Sequence, residues 1–221
     1  MSSDEKHLED LKQIRTMMER SSRFLSLSGL SGVFAGVYAL AGAWLAHNYM
    51  NAMPQEYRHR YYDFSTSSLA QRYTEDSHLL DFYSFFILVA GSILALSLIT
   101  GFIFTRRKAL KAGLKVWDST SKRMLINLCI PLATGGIFCL VLLYYDIWFL
   151  VASSTLIFYG LALLNASKYT LNDIRYLGIS EIILGLVSCF FFTKGLLFWA
   201  IGFGVLHIVY GAVMWWKYER N

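Results

Sequence analysis

Long apolar runs separated by short polar breaks set the rhythm of this chain. Six runs are long enough to cross a hydrocarbon core of about 30 Å at about 1.5 Å per helical residue. They are Phe24 to Ala46, Phe82 to Thr105, Leu125 to Tyr144, Ile147 to Leu164, Tyr176 to Phe192 and Gly195 to Trp216. Only Tyr145 and Asp146 part the third from the fourth, and only Thr193 and Lys194 part the fifth from the sixth, so each of these pairs is expected to form a tight antiparallel hairpin. The predicted fold is all-α, a six-helix transmembrane bundle over 24–216. A cytoplasmic amphipathic helix precedes it at 1–23, an outer loop interrupts it at 48–81, and a short cytoplasmic tail follows at 217–221.

Composition sharpens this picture by exclusion. Of 221 residues, 56% are hydrophobic and 16% charged, too apolar for an ordinary soluble domain. A soluble cytosolic enzyme, a secreted disulfide scaffold, a collagenous or disordered chain and a nucleic-acid-binding domain are therefore not expected. The basic residues fix an orientation. From the N-terminal segment through the successive loops to the tail, Lys and Arg number 5, 3, 7, 0, 2, 1 and 2, which places 16 on one side and 4 on the other. Basic residues in short loops favour the cytoplasm, so both termini are expected there, in a multi-pass protein of the cell inner (cytoplasmic) membrane. The net charge of +5 then follows from topology and calls for no acidic partner.

The first run reads as a retained span: it is longer than a signal-peptide core, and the residues before it carry as many acids as bases. Cys129, Cys139 and Cys189 all fall inside spans, where thiols behave as small apolar groups. No metal-ligand spacing and no cofactor motif is present; His47, His59 and His78 are not spaced to converge on one element.

A repeat emerges when the odd spans are aligned on a basic residue. Arg23-Phe-Leu-Ser-Leu-Ser, Arg123-Met-Leu-Ile-Asn-Leu and Arg175-Tyr-Leu-Gly-Ile-Ser open alike, while Gly101, Gly160 and Gly211 sit late in the even spans, with Tyr159-Gly160 matched by Tyr210-Gly211. Three helical hairpins in one orientation around a pseudo-threefold axis would account for this, the last two units offset by about 51 residues. The stretch from Met18 through Ser22, Leu27 and Gly32 to Gly36 resembles the opening of a group of uncharacterised small bacterial membrane proteins with six predicted spans. The triple-hairpin layout is more loosely similar to short-repeat membrane proteins linked with acid resistance. Neither resemblance implies particular functional residues.

Candidate chemistry is sparse. Glu181 is the one acid well inside a span, about 9 Å past Arg175, and His207 lies near the middle of span six at a depth within about 5 Å of it. An ionisable group at such depth marks a proton or cation path, or the anchor of a polar network. The expected ligand or proton path comprises Glu181, His207, Asn127, Ser28 and Ser180, with Gly29 and Cys129 as the repeat equivalents of Glu181. Ser28, Gly32 and Gly36 recur every four residues, a spacing that lets helix backbones approach closely, and Pro131 deprives span three of one backbone hydrogen bond.

Two cytoplasmic features complete the inventory. The segment containing Arg106, Arg107, Lys108, Lys111 and Lys115 is a candidate for anionic lipid headgroups. Leu8, Leu11 and Met18 recur at helical spacing and form a candidate partner-binding stripe behind a Ser2/Glu5 capping box. The outer loop's Tyr57-Arg-His-Arg-Tyr-Tyr suits an interfacial anchor. No paired intramembrane acids, His-Glu-x-x-His or nucleophile turn is present, so an enzyme is not expected. The leading expectation is a non-enzymatic accessory protein that binds the bilayer and a cytoplasmic protein partner, with no nucleic acid. The alternative is a small transporter or channel, proton-coupled through Glu181 and His207.

Overall fold

The computed structural model describes residues 27–52, 77–111, 113, 117–145 and 147–220, with the side chains of 77–81 and 192 outside that description. The N-terminal stripe of Leu8, Leu11 and Met18, the tip of the outer loop and Lys115 lie outside the described residues. Within them the chain is helical: α1 (Gly29–Ala52), α2 (Ser77–Lys111), α3 (Ser119–Tyr144), α4 (Val151–Ala166, flanked by the 3-10 turns Trp148–Leu150 and Ser167–Tyr169), α5 (Asp173–Phe190) and α6 (Gly195–Tyr218). All but α5 are long and apolar enough to cross a membrane. The exception, α5, carries Asp173, Arg175 and Glu181.

The expected spans recur as helices with shifted ends: α1 begins at Gly29 and α5 closes at Phe190, inside the expected bounds, whereas α1, α2 and α3 run past their apolar runs where local chemistry allows it. Beyond Ala46, α1 continues through polar residues, with Asn51 Nδ2 2.9 Å from His47 Nε2 one turn earlier. Six residues before the apolar run, α3 starts where Asp118 and Ser121 form a reciprocal capping box: Ser121 N–H donates to Asp118 Oδ1 at 2.7 Å and Asp118 N–H to Ser121 Oγ at 2.9 Å. The α2 helix runs on through Arg106 to Lys111, so the first part of the expected basic loop is helical.

The apolar surface has nowhere to go but lipid. Leu88, Leu94, Leu98 and Phe102 on α2 are each at least 60% exposed, and the most apolar stretch of that helix contains no buried residue. A surface so apolar would aggregate in water, and a bilayer covers it without cost. These helices belong to a multi-pass membrane protein.

Packing follows glycine. On α1, Gly29, Gly32 and Gly36 meet α6 at Gly204, Ile208, Gly211 and Trp215; on α5, Gly178 and Gly185 meet α4 at Ser153, Ile157, Gly160 and Leu164. These two interfaces share one register. Each α6 member stands 51 positions after its α4 counterpart, and each α5 glycine 149 after its α1 counterpart. A Cβ on Gly211 would stand 2.7 Å from Gly29 O, and one on Gly160 2.6 Å from Gly178 O, so both contacts are backbone on backbone. This register moves the α1 equivalent of Glu181 from Gly29 to Gly32, one turn along. The difference arises because close-packed glycines, and not the basic anchors at the helix ends, fix the axial positions. Among the described residues, the outer helices α2 and α3 pack mainly on α1 and α4 respectively.

The tail of α6 ties the bundle at one end. Glu219 accepts from Gly29 N–H at 2.6 Å, Ser28 Oγ at 3.0 Å and Lys108 Nζ at 3.2 Å, and Lys108 also donates to Leu27 O at 2.7 Å. One carboxylate thus caps α1 and pins α2. Glu219→Ala is expected to destabilise the folded protein by about 1–3 kcal/mol in a chemical-denaturation titration in micelles. Nearby, Asp173 at the start of α5 accepts from Tyr218 Oη at 2.7 Å and from Lys217 Nζ at 3.2 Å. Burial alone would raise its carboxyl, but the hydrogen bonds from Tyr218 and Lys217 outweigh that and hold it below the usual value. The clamp's contribution is therefore present above the unfolded carboxylate range and is lost as pH falls through the lowered folded value. The stability gap between wild type and Asp173→Asn is expected to be full near pH 7 and to shrink below about pH 4.

Candidate functional site

Three helices bring three polar side chains together inside the bundle. Glu181 on α5 is fully buried, and His207 on α6 and Tyr159 on α4 meet beside it. His207 Nε2 lies 2.7 Å from Tyr159 Oη, and its Nδ1 lies 3.0 Å from Gly202 O. A carbonyl only accepts, so Nδ1 carries a proton; in the neutral ring Nε2 then accepts from the tyrosine hydroxyl. Glu181 Oε1 stands 3.5 Å from the same Nδ1, within ion-pair reach, and neither carboxyl oxygen has a hydrogen-bond partner among the described residues.

Backbone geometry makes room for this carboxyl. The middle of α6, Ala200–Leu206, is a π-helix, and such segments recur at functional sites. Within it Gly202 lies against Glu181: a Cβ there would come 2.5 Å from Oε2 and collide with Leu156. Leu156 itself is fully buried and Leu184 closes the same wall, so the carboxyl sits among apolar groups. Between the two glycine interfaces, the site is asymmetric. In the register of the two glycine interfaces, Glu181 corresponds to Gly32 and His207 to Leu156, so the polar pair is not a by-product of the repeated packing.

The remaining expected members lie elsewhere. Ser28 belongs to the Glu219 clamp at the end of the bundle, since its hydroxyl points at the α6 tail. Asn127 donates back to Arg123 O on its own helix at 2.9 Å, because α3 contacts α4 and leaves that face outside the centre. Ser180 donates to Tyr176 O at 3.0 Å and lies 3.5 Å from Tyr210 Oη, one residue from Glu181 but on another face of α5. Of the expected headgroup ligands, Arg106, Arg107 and Lys111 are exposed, whereas Lys108 is taken by Glu219 and Leu27.

Tyr159 and Gly202 are the members that sequence reasoning missed. The sequence pairs Tyr159 with Tyr210 as like positions, whereas the structure gives the two tyrosines different partners, His207 and Ser180. Comparison of the chain with protein-family models, curated proteins and solved structures finds no match.

Proposed function

We propose that this is a non-enzymatic membrane protein that acts as a small transporter or channel, with Glu181 and His207 as its proton-coupling pair. The observation that carries the reading is the fully buried Glu181 carboxyl, without a hydrogen bond among the described residues, 3.5 Å from an imidazole nitrogen. One proton held by the pair keeps its net charge at zero, whether that proton rests on Glu181 or on His207. Removing it leaves an uncompensated negative charge among apolar side chains, a cost of several kcal/mol. That cost is relieved by admitting water or a cation, which requires the packed helices to part. Protonation and opening are thereby coupled, and the π segment beside Gly202 is where α6 would give way.

The same reading includes a cytoplasmic location for both termini, an inner-membrane address and three hairpins around a pseudo-threefold axis. The shared register of the α1/α6 and α5/α4 interfaces supports the last of these. An accessory role through Leu8, Leu11 and Met18 rests on residues outside the described part, so the buried pair takes precedence.

Proton flux into liposomes containing the purified protein tests the proposal across pH about 5 to 8, where histidine titrates. A pH-dependent flux is expected for wild type, lost in both Glu181→Gln and His207→Ala. Wild-type liposomes as tight as empty ones would remove proton conduction.

A further inference from the structure

A groove of about 400 Å³ runs between α3 and α4, away from the Glu181 site. Pro131 and Thr134 form its α3 wall, Phe158, Leu161 and Asn165 its α4 wall, and Lys168 on the 3-10 turn after α4 its outer end. The α4 residues recur at three- and four-residue spacing on one helix face, so the groove follows the helix axis. Its deep end is sealed where Phe158 packs on Gly135 and lies 5.6 Å, centroid to centroid, from Phe138. Phe158 is at the middle of the span Trp148–Tyr169, and Lys168 is at its end. Ten helical residues separate them, or about 15 Å, which is half the thickness of the hydrocarbon core. The groove therefore has the length of one leaflet.

Its two ends differ in chemistry. The floor is aromatic and aliphatic, while at the mouth exposed Lys168 is held by Asn165 Oδ1 at 3.2 Å. The adjoining 3-10 turn packs against α3, whose exposed Lys122 and Arg123 are not among the groove's lining, so Lys168 is the cation that lines it. Pro131 has no N–H to offer Asn127 O, so the α3 wall also lacks one rung of its backbone ladder there.

We infer that this groove binds one glycerophospholipid with an anionic headgroup, an acyl chain lying along Leu161 down to Phe158 and the phosphate at Lys168. Charge complementarity decides between occupants: a zwitterionic lipid would fill the apolar part equally well, but its own cation offsets the attraction of its phosphate to the cationic mouth, whereas an anionic lipid keeps that attraction whole. A cationic group near the membrane surface is worth about a five-fold preference for an anionic lipid. The inference is independent of the proton pair, and either can fail without the other.

Native mass spectrometry of the micelle-purified protein, titrated with phosphatidylglycerol or phosphatidylcholine of the same acyl chains, tests it. Wild type is expected to retain one phosphatidylglycerol with about five-fold preference. Lys168→Gln, an exposed substitution that leaves the packing alone, should bring the two lipids to parity. Leu161→Trp, which fills the groove, should lose both, while a triple Gln replacement of Arg106, Arg107 and Lys111 keeps the preference. No preference in wild type would overturn the site. So would a preference that survives Lys168→Gln, or one that disappears in the triple variant.

Discussion

Glu181→Met is expected to make the protein more stable by about 1–3 kcal/mol and at the same time to abolish its proton flux. The side chain is fully buried against Gly202, Leu156 and Leu184, and neither oxygen has a hydrogen bond among the described residues. A buried polar group without a partner retains its desolvation penalty, and an apolar group of similar length removes it. Methionine has an unbranched chain that can follow the path of the glutamate past Gly202. Glu181→Gln is the complementary variant. It keeps the polar atoms and their penalty, so stability stays near wild type while the titratable group is gone. Chemical denaturation in micelles and liposome flux together read the pair. If Glu181 were a structural anchor, the Met variant would lose stability, and that outcome would contradict the functional assignment. A gain in stability bought by loss of activity is the signature of a site kept for what it does.

The sequence reveals depth well and azimuth poorly. Glu181 and His207 are at nearly the same depth, and the structure brings them to 3.5 Å. Ser28, expected beside them, misses in depth and sits at the end of the bundle on Glu219. Asn127 lies on another face, because rotation about a helix axis is set by which neighbours it packs against. That information is in the glycines. Gly29, Gly32 and Gly36 turn α1 towards α6, and Gly178 and Gly185 turn α5 towards α4. Aligning those glycines, in place of Arg23 and Arg175, would have given the one-turn correction that assigns Gly32 as the counterpart of Glu181. Tyr159 and Gly202 were beyond reach by spacing alone, because each becomes part of the site only through a contact between helices distant in sequence. Helix ends were displaced for a simpler reason: Asp118 with Ser121, and His47 with Asn51, extend helices through polar residues that an apolar scan stops at.

Single Gly→Ala substitutions measure the repeated packing directly. Gly160→Ala and Gly211→Ala are each expected to cost about 1–3 kcal/mol, because the added methyl would meet the backbone of the facing helix and the two backbones must separate. Their costs should match, since the two glycines are counterparts in interfaces of the same register. The contacts they disturb share no residue: Gly160 meets Gly178 and Ile182, whereas Gly211 meets Gly29, Gly32 and Val33. The double variant should therefore lose the sum of the two within about 0.5 kcal/mol. Gly101→Ala on α2 and Gly136→Ala on α3 provide the contrast. Nothing lies within 4 Å of a Cβ at either position, so each should change stability by less than about 0.5 kcal/mol. These two glycines are on the outer helices, where a threefold arrangement would place its third interface, and among the described residues nothing packs on either of them. Equal costs at Gly160 and Gly211 with silence at Gly101 and Gly136 would establish two working interfaces and one open one. A cost at Gly101 or Gly136 comparable to the other two would mean that α2 and α3 are packed in the membrane, against each other or against a second copy.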